Sequence, residues 1–555
     1  MALRSDGVSG GPAAPAGAAA TVRARNAAAR SAGTGGWVLP LAVLIVGMFM
    51  SVLDISIVNV AVPSIQKDFG TTSQEIQWIT TAYSLALGVI VPVSGWLGDR
   101  AGLTRAYIVS LLGFCVGSAL CGMAWDLNSM IVFRILQAIP GGIMPVVTLA
   151  MVYRIAPKDK IGTAMGLYGL GVVFAPAVGP TLGGYLVEHA DWRLIFLINV
   201  PIGLVGAVLA MFLVPRFPIS PDTRLDVWGF LTVATGLFAL LLALSQGQDW
   251  GWTGYRVLIL ITVGVLSLAL FVVIELHVEQ PLIDVRVFKI RPFTNSLLLL
   301  TVLSVGLFAV LFYIPLFVQE GQGITPVRAG LMMLPEAIAM GAIMPVAGQL
   351  YDRFGPRWPA VIGLLIAAYG TYLLCGINAD VTLQDLVVWT WIRGVGNGLA
   401  MMAIMTAGLD ALPARQVNEA SAVSNAVQRV SASLGLAVLT AIATAQQAQL
   451  MADRASLVPA PGPAAPAALN ELAEYGLPGL FAHYQRTQLT VMASAYSDVF
   501  LILAIVTAAG AILAVTLKMP PRATAGTPQA SEGQSASEAA DRELDPVSLA
   551  RYGHG

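Results

Sequence analysis

The stretch VLPLAVLIVGMFMSVLDISIVNVAV, residues 38–62, contains a single charged side chain, Asp54. A bilayer's hydrocarbon core is about 30 Å thick and takes roughly 20 apolar residues of helix to cross. A helix also satisfies its own backbone groups, which hydrocarbon demands. The stretch therefore reads as a membrane helix with one acid inside it. Outward along the chain, further stretches meet the same test: 77–97, 106–125, 127–152, 162–187, 193–214, 226–244, 256–274, 294–318, 328–350, 358–376, 386–409, 419–444 and 496–517. Together they make 14 expected spans and predict an all-α polytopic membrane protein. The composition agrees. Of 555 residues, 57% are hydrophobic and 11% charged, with a mean hydropathy of +0.76, against about 25% charged in an ordinary soluble domain.

The same composition removes several classes of function. A net charge of −1 leaves no basic footprint for nucleic acid. Cys115, Cys121 and Cys375 fall inside apolar runs and read as small buried hydrophobes, and the 4 histidines have no metal-ligand spacing. No nucleophile set or phosphate-cradling loop points to an enzyme, and no cofactor is expected. Residues 1–36, rich in Ala, Gly, Ser and Pro, and the polar residues 519–555 read as disordered tails. With the N-terminus in the cytoplasm, 21 of the 30 Lys and Arg fall inside and 6 outside, so both ends are expected to be cytoplasmic. Arginine exceeds lysine 25 to 5, which suits a bacterial chain and hence the bacterial cytoplasmic membrane.

An internal repeat follows. GWLGDRAG (95–102) matches GQLYDRFG (348–355) at five of eight positions, 253 residues apart. One copy follows the second span and the other the tenth, where a six-helix half plus two inserted helices would put it. The expected division is a six-helix bundle over 37–216, two inserted helices over 217–292, and a second six-helix bundle over 293–518 with an outer loop at 445–495. Two similar halves around a midplane site is the plan of many secondary transporters.

Four further stretches carry a family likeness: LDISIVNVAVP (53–63), RILQAIPGG (134–142), APAVGPTLGG (175–184), and Trp192-Arg193 leading to NVPIG (199–203). With the repeated loop, the sequence over roughly 37–518 resembles the major facilitator superfamily. Within it the likeness is to the fourteen-helix drug:proton antiporter branch of the EmrB/QacA type. The resemblance implies a cytoplasmic gate at Gly95, Asp99, Arg100, Gly102, Arg105, Asp352 and Arg353. It also implies an antiporter motif at Pro176, Gly179, Pro180, Gly183 and Gly184. The loop departs from the usual pattern at Leu103 and Thr104, where basic residues are common in the family.

Embedded charges are the candidates for coupling, because a charge at the bilayer centre costs at least ~2.5–3.5 kcal/mol. At 1.5 Å per residue, Asp54 lies about 12 Å and Arg134 about 10 Å from the outer surface, so the two meet if their helices adjoin. Glu336 and Arg393 form a parallel pair at about 12 Å. Asp54, Arg134 and Glu336 are expected to couple protons; a structural ion pair is the competing reading. Asn59, Trp78, Tyr83, Gln137, Glu336 and Arg393 are the expected cavity residues, with Glu336 favouring cations. Asp99 is expected to cap a helix of the opposite half near Asn418. Arg429, Asp410 and Glu275 read as structural, and Leu480 to Met492 as an amphipathic stretch on the outer surface. The expectation is a monomeric exporter of amphipathic, cationic compounds, driven by the proton gradient and needing no cofactor. Export of a lipid or a dedicated metabolite is the rival, and a channel or membrane sensor is the alternative from another class.

Overall fold

The computed structural model describes residues 36–517 except 218, 220–222, 414–415 and 457–466. Among the described residues the chain is helical and has no strand. Its long helices, in chain order, are α1 Val38–Phe69, α2 Trp78–Ala101, α3 Leu103–Gly122, α4 Leu127–Ile155, α5 Ile161–His189, α6 Asn199–Leu213 and α7 Val227–Trp250. There follow α8 Tyr255–His277, α9 Arg291–Leu316, α10 Pro326–Phe354, α11 Arg357–Leu373, α12 Leu383–Asp410, α13 Val417–Ser456 and α14 Ala467–Ala514. Among the described residues, 14 helices are long and apolar enough to cross a membrane. They fall on the 14 stretches expected, and the chain is a multi-pass membrane protein.

Local chemistry sets the helix ends. Asp126 accepts from the Ser129 N–H at 2.8 Å and starts α4. Thr382 and Asp385 cap α12 reciprocally, and Asp226 caps α7 through the Gly229 N–H at 2.9 Å. α1 stops at Gly70, whose left-handed backbone (φ 63°) returns its N–H to the Gln66 carbonyl. Prolines 140 and 145 in α4, 176 and 180 in α5, and 335 and 345 in α10 lie inside helices without ending them. In hydrocarbon no water is available to an opened backbone, so the helix continues and its neighbours cover the freed carbonyls.

Burial ranks the helices. In α4 and α12, 83% and 78% of the apolar window is enclosed, against 17% for α8. The two enclosed helices each stand two helices after a copy of the repeated loop, and each carries an embedded arginine. α8 instead turns Leu258, Ile259, Val265 and Leu266 outward, as a lipid-facing helix does. α5 packs along α10, and α13 packs on α2 and α4. α7 and α8 pack on each other, and α7 also lies on α2 and α13.

One expectation is corrected. The outer loop placed at 445–495 is largely helix, because α13 runs on to Ser456 and α14 already starts at Ala467. The sequence TAQQAQLMADRAS is made of strong helix formers, and propensity carries the helix past the end of the apolar run. Leu480 to Met492 belongs to α14 and continues into the last span rather than forming a separate segment. The proline-rich centre of that loop, and the tails expected at 1–36 and 519–555, lie outside the described residues except for Gly36.

Candidate functional site

Asp54 of α1 and Arg134 of α4 are 0% and 1% exposed and form an ion pair. Their helices adjoin, so the equal depths read from the sequence become a contact. Gln137, one turn along α4, receives from Arg134 Nη1 at 2.7 Å on its Oε1 and donates from Nε2 to Asp54 Oδ1 at 3.0 Å. The same Nε2 donates to Ser118 of α3 at 3.1 Å. Ser118 also accepts from Asn199 of α6 at 3.1 Å and donates to the Phe196 carbonyl at 2.9 Å. The Arg134 guanidinium lies 3.7 Å above the Tyr83 ring, contributed by α2. A buried charge is tolerable only when paired and hydrogen-bonded. Here α4 supplies both partners of the α1 carboxylate, α2 and α3 contact those partners, and α6 reaches them through Ser118.

Glu336 of α10 and Arg393 of α12 repeat the pair on the other side of the molecule. Arg393 Nη1 also donates to the Gly306 carbonyl of α9 at 3.1 Å. This network is thinner: both oxygens of Asp54 accept, whereas Glu336 Oε2 is buried with no hydrogen-bond partner among the described residues. Glu336, expected to favour cations or else to pair with Arg393, is enclosed and has Arg393 as its charge partner. Of the other expected cavity residues, Tyr83 and Gln137 join the Asp54 network. Asn59 is exposed, and Trp78 packs with Leu85, Leu241 and Leu242, beside α7.

At one end of the bundle the two loop copies meet the opposite half. Asp99 accepts from the Asn418 side chain at the start of α13. Asp352 accepts from Gly162 N at 3.0 Å, Thr163 N at 3.2 Å and Thr163 Oγ1 at 3.1 Å, all in the first turn of α5. The helix capping foreseen for Asp99 is thus carried out by its repeat partner, while Asp99 itself takes a side-chain bond. The loops end alike on Gly102 and Gly355, at φ 85° and 79°, a conformation that favours glycine. Arg100 donates to the Thr223 carbonyl at 3.1 Å; Arg105 and Arg353 are exposed. A Cβ on the buried Gly95 would reach the Asn418 carbonyl at 3.4 Å. Beside these contacts, Asp410 of α12 accepts from both Tyr153 of α4 and Tyr351 of α10. On α5, a Cβ at Gly179 would meet Ser56 Cβ at 2.9 Å, and one at Gly183 would meet Ile57 Cγ1 at 2.8 Å. Pro180 faces Gly330 of α10, while Pro176 and Gly184 are partly buried. The small-residue run therefore presses α5 onto α1 within a turn of Asp54.

The family model described as Major Facilitator Superfamily matches residues 44–436. The chain belongs to the Major Facilitator Superfamily. It is 36% identical over 404 residues to the "Uncharacterized MFS-type transporter YhcA" of Bacillus subtilis (strain 168), covering 73% of this chain and 76% of that one. It is 32% identical over 408 residues to the "Multidrug resistance protein B homolog" of Mycobacterium tuberculosis (strain ATCC 25618 / H37Rv), with the same coverage of 73% and 76%. The solved structure of the major facilitator proton:xylose symporter XylE aligns with a TM-score of 0.53 at 14% identity, over 85% of this chain and 95% of that one. That likeness concerns the fold.

Sequence reasoning missed four partners in this major facilitator protein. Ser118 is a small polar residue in an apolar run, and Asn199 stands in the NVPIG stretch, which does not reveal its bond to Ser118. Tyr153 and Tyr351 precede Arg154 and Asp352 by one position each and were hidden behind those charges.

Proposed function

We propose that this protein is a proton-coupled antiporter. It exports amphipathic compounds across a bacterial cytoplasmic membrane by alternating access, with both termini in the cytoplasm. The observation that carries the proposal is the enclosed Asp54–Arg134–Gln137 network. A carboxylate removed from water and set beside a guanidinium exchanges partners when it gains a proton. Protonated, Asp54 no longer holds Arg134, which keeps Gln137 and the Tyr83 face; deprotonated, it draws Arg134 back. A proton taken up outside and released inside supplies about 2.3 kcal/mol per 100 mV of membrane potential. The end with the repeated loops is then the inner gate, held shut by Asp99, Asp352 and Asp410. Residues 37–216 and 293–518 act as the moving halves, and 217–292 as the inserted pair. The outward direction draws on the proline-glycine run of α5 and on a relative named for multidrug resistance. A monomer suffices, and no cofactor is needed beyond the proton gradient.

Asp54→Asn tests the proposal. The variant is expected to reach the membrane at wild-type level and to lose substrate-induced proton release in inverted vesicles, read with a pH dye. Full retention of that signal would make Asp54 a structural partner and move the switch elsewhere.

A further inference from the structure

Arg134, Arg393 and Arg429 all lie deep inside membrane helices. The first two each face a carboxylate, Asp54 and Glu336. Arg429, on α13, has no ion pair and no hydrogen bond with any described residue. The acids enclosed in or beside the bundle have partners of their own: Asp54 has Arg134 and Gln137, Glu336 has Arg393, and Asp410 has two tyrosines.

Arg429 does not face lipid. Seven residues back, on the same face of α13, Ala422 is enclosed against Val91 of α2 and Val146 of α4. The next residue, Val430, packs near Leu85 of α2 and Leu241 of α7. Arg429 therefore stands in the seam between α13 and the first half, partly buried, within electrostatic reach of Tyr83 on α2 and Tyr168 on α5. It lies eleven residues beyond Asn418, which is about 16 Å along the helix and halfway across a core of about 30 Å.

A guanidinium that only fastened helices would have its partner in place, as the other two do. One left without a counter-ion at mid-depth, in the seam that alternating access must open, is arranged for a partner that arrives. We propose that Arg429 recognises an acidic group on the transported compound: a planar carboxylate, which the guanidinium fork engages with two parallel hydrogen bonds. This rests on the exporter proposal and narrows its substrates to amphipathic acids, the opposite of the cation preference expected from Glu336.

The test uses the purified full chain and two probes, a dialkylaminocoumarin carboxylate and its methyl ester, titrated by fluorescence anisotropy. Wild type is expected to bind the acid about tenfold more tightly than the ester, and Arg429→Gln to lose that preference while holding the ester within about twofold, as the loss of one charged hydrogen-bonding group implies. Arg429→Lys, which keeps the charge but not the fork, should retain part of the preference, and it decides the matter if the glutamine variant does not fold. Equal binding of the two probes by wild type, or an undiminished preference in either variant, overturns the proposal. Efflux from vesicles under a pH gradient is read separately. A binding preference without efflux would sink the exporter proposal and leave the acid site standing. Efflux of both probes without binding preference would do the reverse.

Discussion

Asp352→Asn probes how firmly the loop end is held shut. Asp352 gathers three donors from the first turn of α5, at 3.0, 3.2 and 3.1 Å. Hydrogen bonds to a charged group contribute about 1.5–3 kcal/mol net, and an anion at a helix N-terminus adds about 0.3–1 kcal/mol. Asparagine keeps one acceptor, loses the charge, and turns an N–H toward donors. About 2 kcal/mol should leave the closed state, which at 1.4 kcal/mol per tenfold raises the open-to-closed ratio about 30-fold. Asp99→Asn serves as the internal comparison. It loses one side-chain donor, Asn418, and an amide can still offer its carbonyl to that group. Its expected effect is about 0.5–1 kcal/mol, or roughly two- to fivefold. Spin labels at Arg105 and Arg357, both exposed and on opposite halves, would report the opening as a longer distance in pulsed dipolar spectra. An Asp99→Asn shift equal to or larger than that of Asp352→Asn would refute the reasoning, as would an unchanged distribution in Asp352→Asn.

Glu336→Gln leaves Arg393 buried without its charge partner, so the melting temperature should fall as for a loss of about 3–5 kcal/mol, and adding Arg393→Gln should recover part of it. A thermal scan of the two variants checks this. Gly179→Val drives a branched side chain into Ser56 and the Ile57 N–H, 3.1 Å from the added Cβ. Overpacking of this kind costs about 1–3 kcal/mol, so detergent-stable yield should drop, whereas Gly306→Ala, with nothing within 4 Å of its new Cβ, should leave the yield unchanged.

The spans were legible because hydrocarbon leaves a chain little choice: about 20 apolar residues per crossing, with every backbone group satisfied. The ion pairs were legible for a related reason. A helix converts residue number into depth, so Asp54 and Arg134 could be placed at one level before their helices were known to adjoin. Depth does not report direction around the helix axis. Asn59 and Trp78 both lie on helices, and their numbers do not tell that one is exposed and the other packed beside α7. Glu336 was matched with Arg393 in depth but was also assigned to cations, because number alone cannot separate an enclosed pair from an open carboxylate. Arg429 shows the same limit from the other side. Its charge is visible in the sequence, but its lack of an ion-pair partner among the described residues is a property of every helix around it.

The Asp410 contact has a consequence for the path between states. One carboxylate serves phenols on α4 and α10, so parting those helices frees at least one oxygen that protein atoms no longer satisfy. Polar groups keep a partner, and for the partly buried Asp410 the replacement would be water. In the alternating access proposed above, the helices would therefore separate as solvent enters the gap, and an arrangement open but dry would be disfavoured. Under that proposal the end would behave as a threshold: sealed, or wet and wide, with little population between. Leakage through a half-parted end would then be suppressed by the thirst of a single carboxylate.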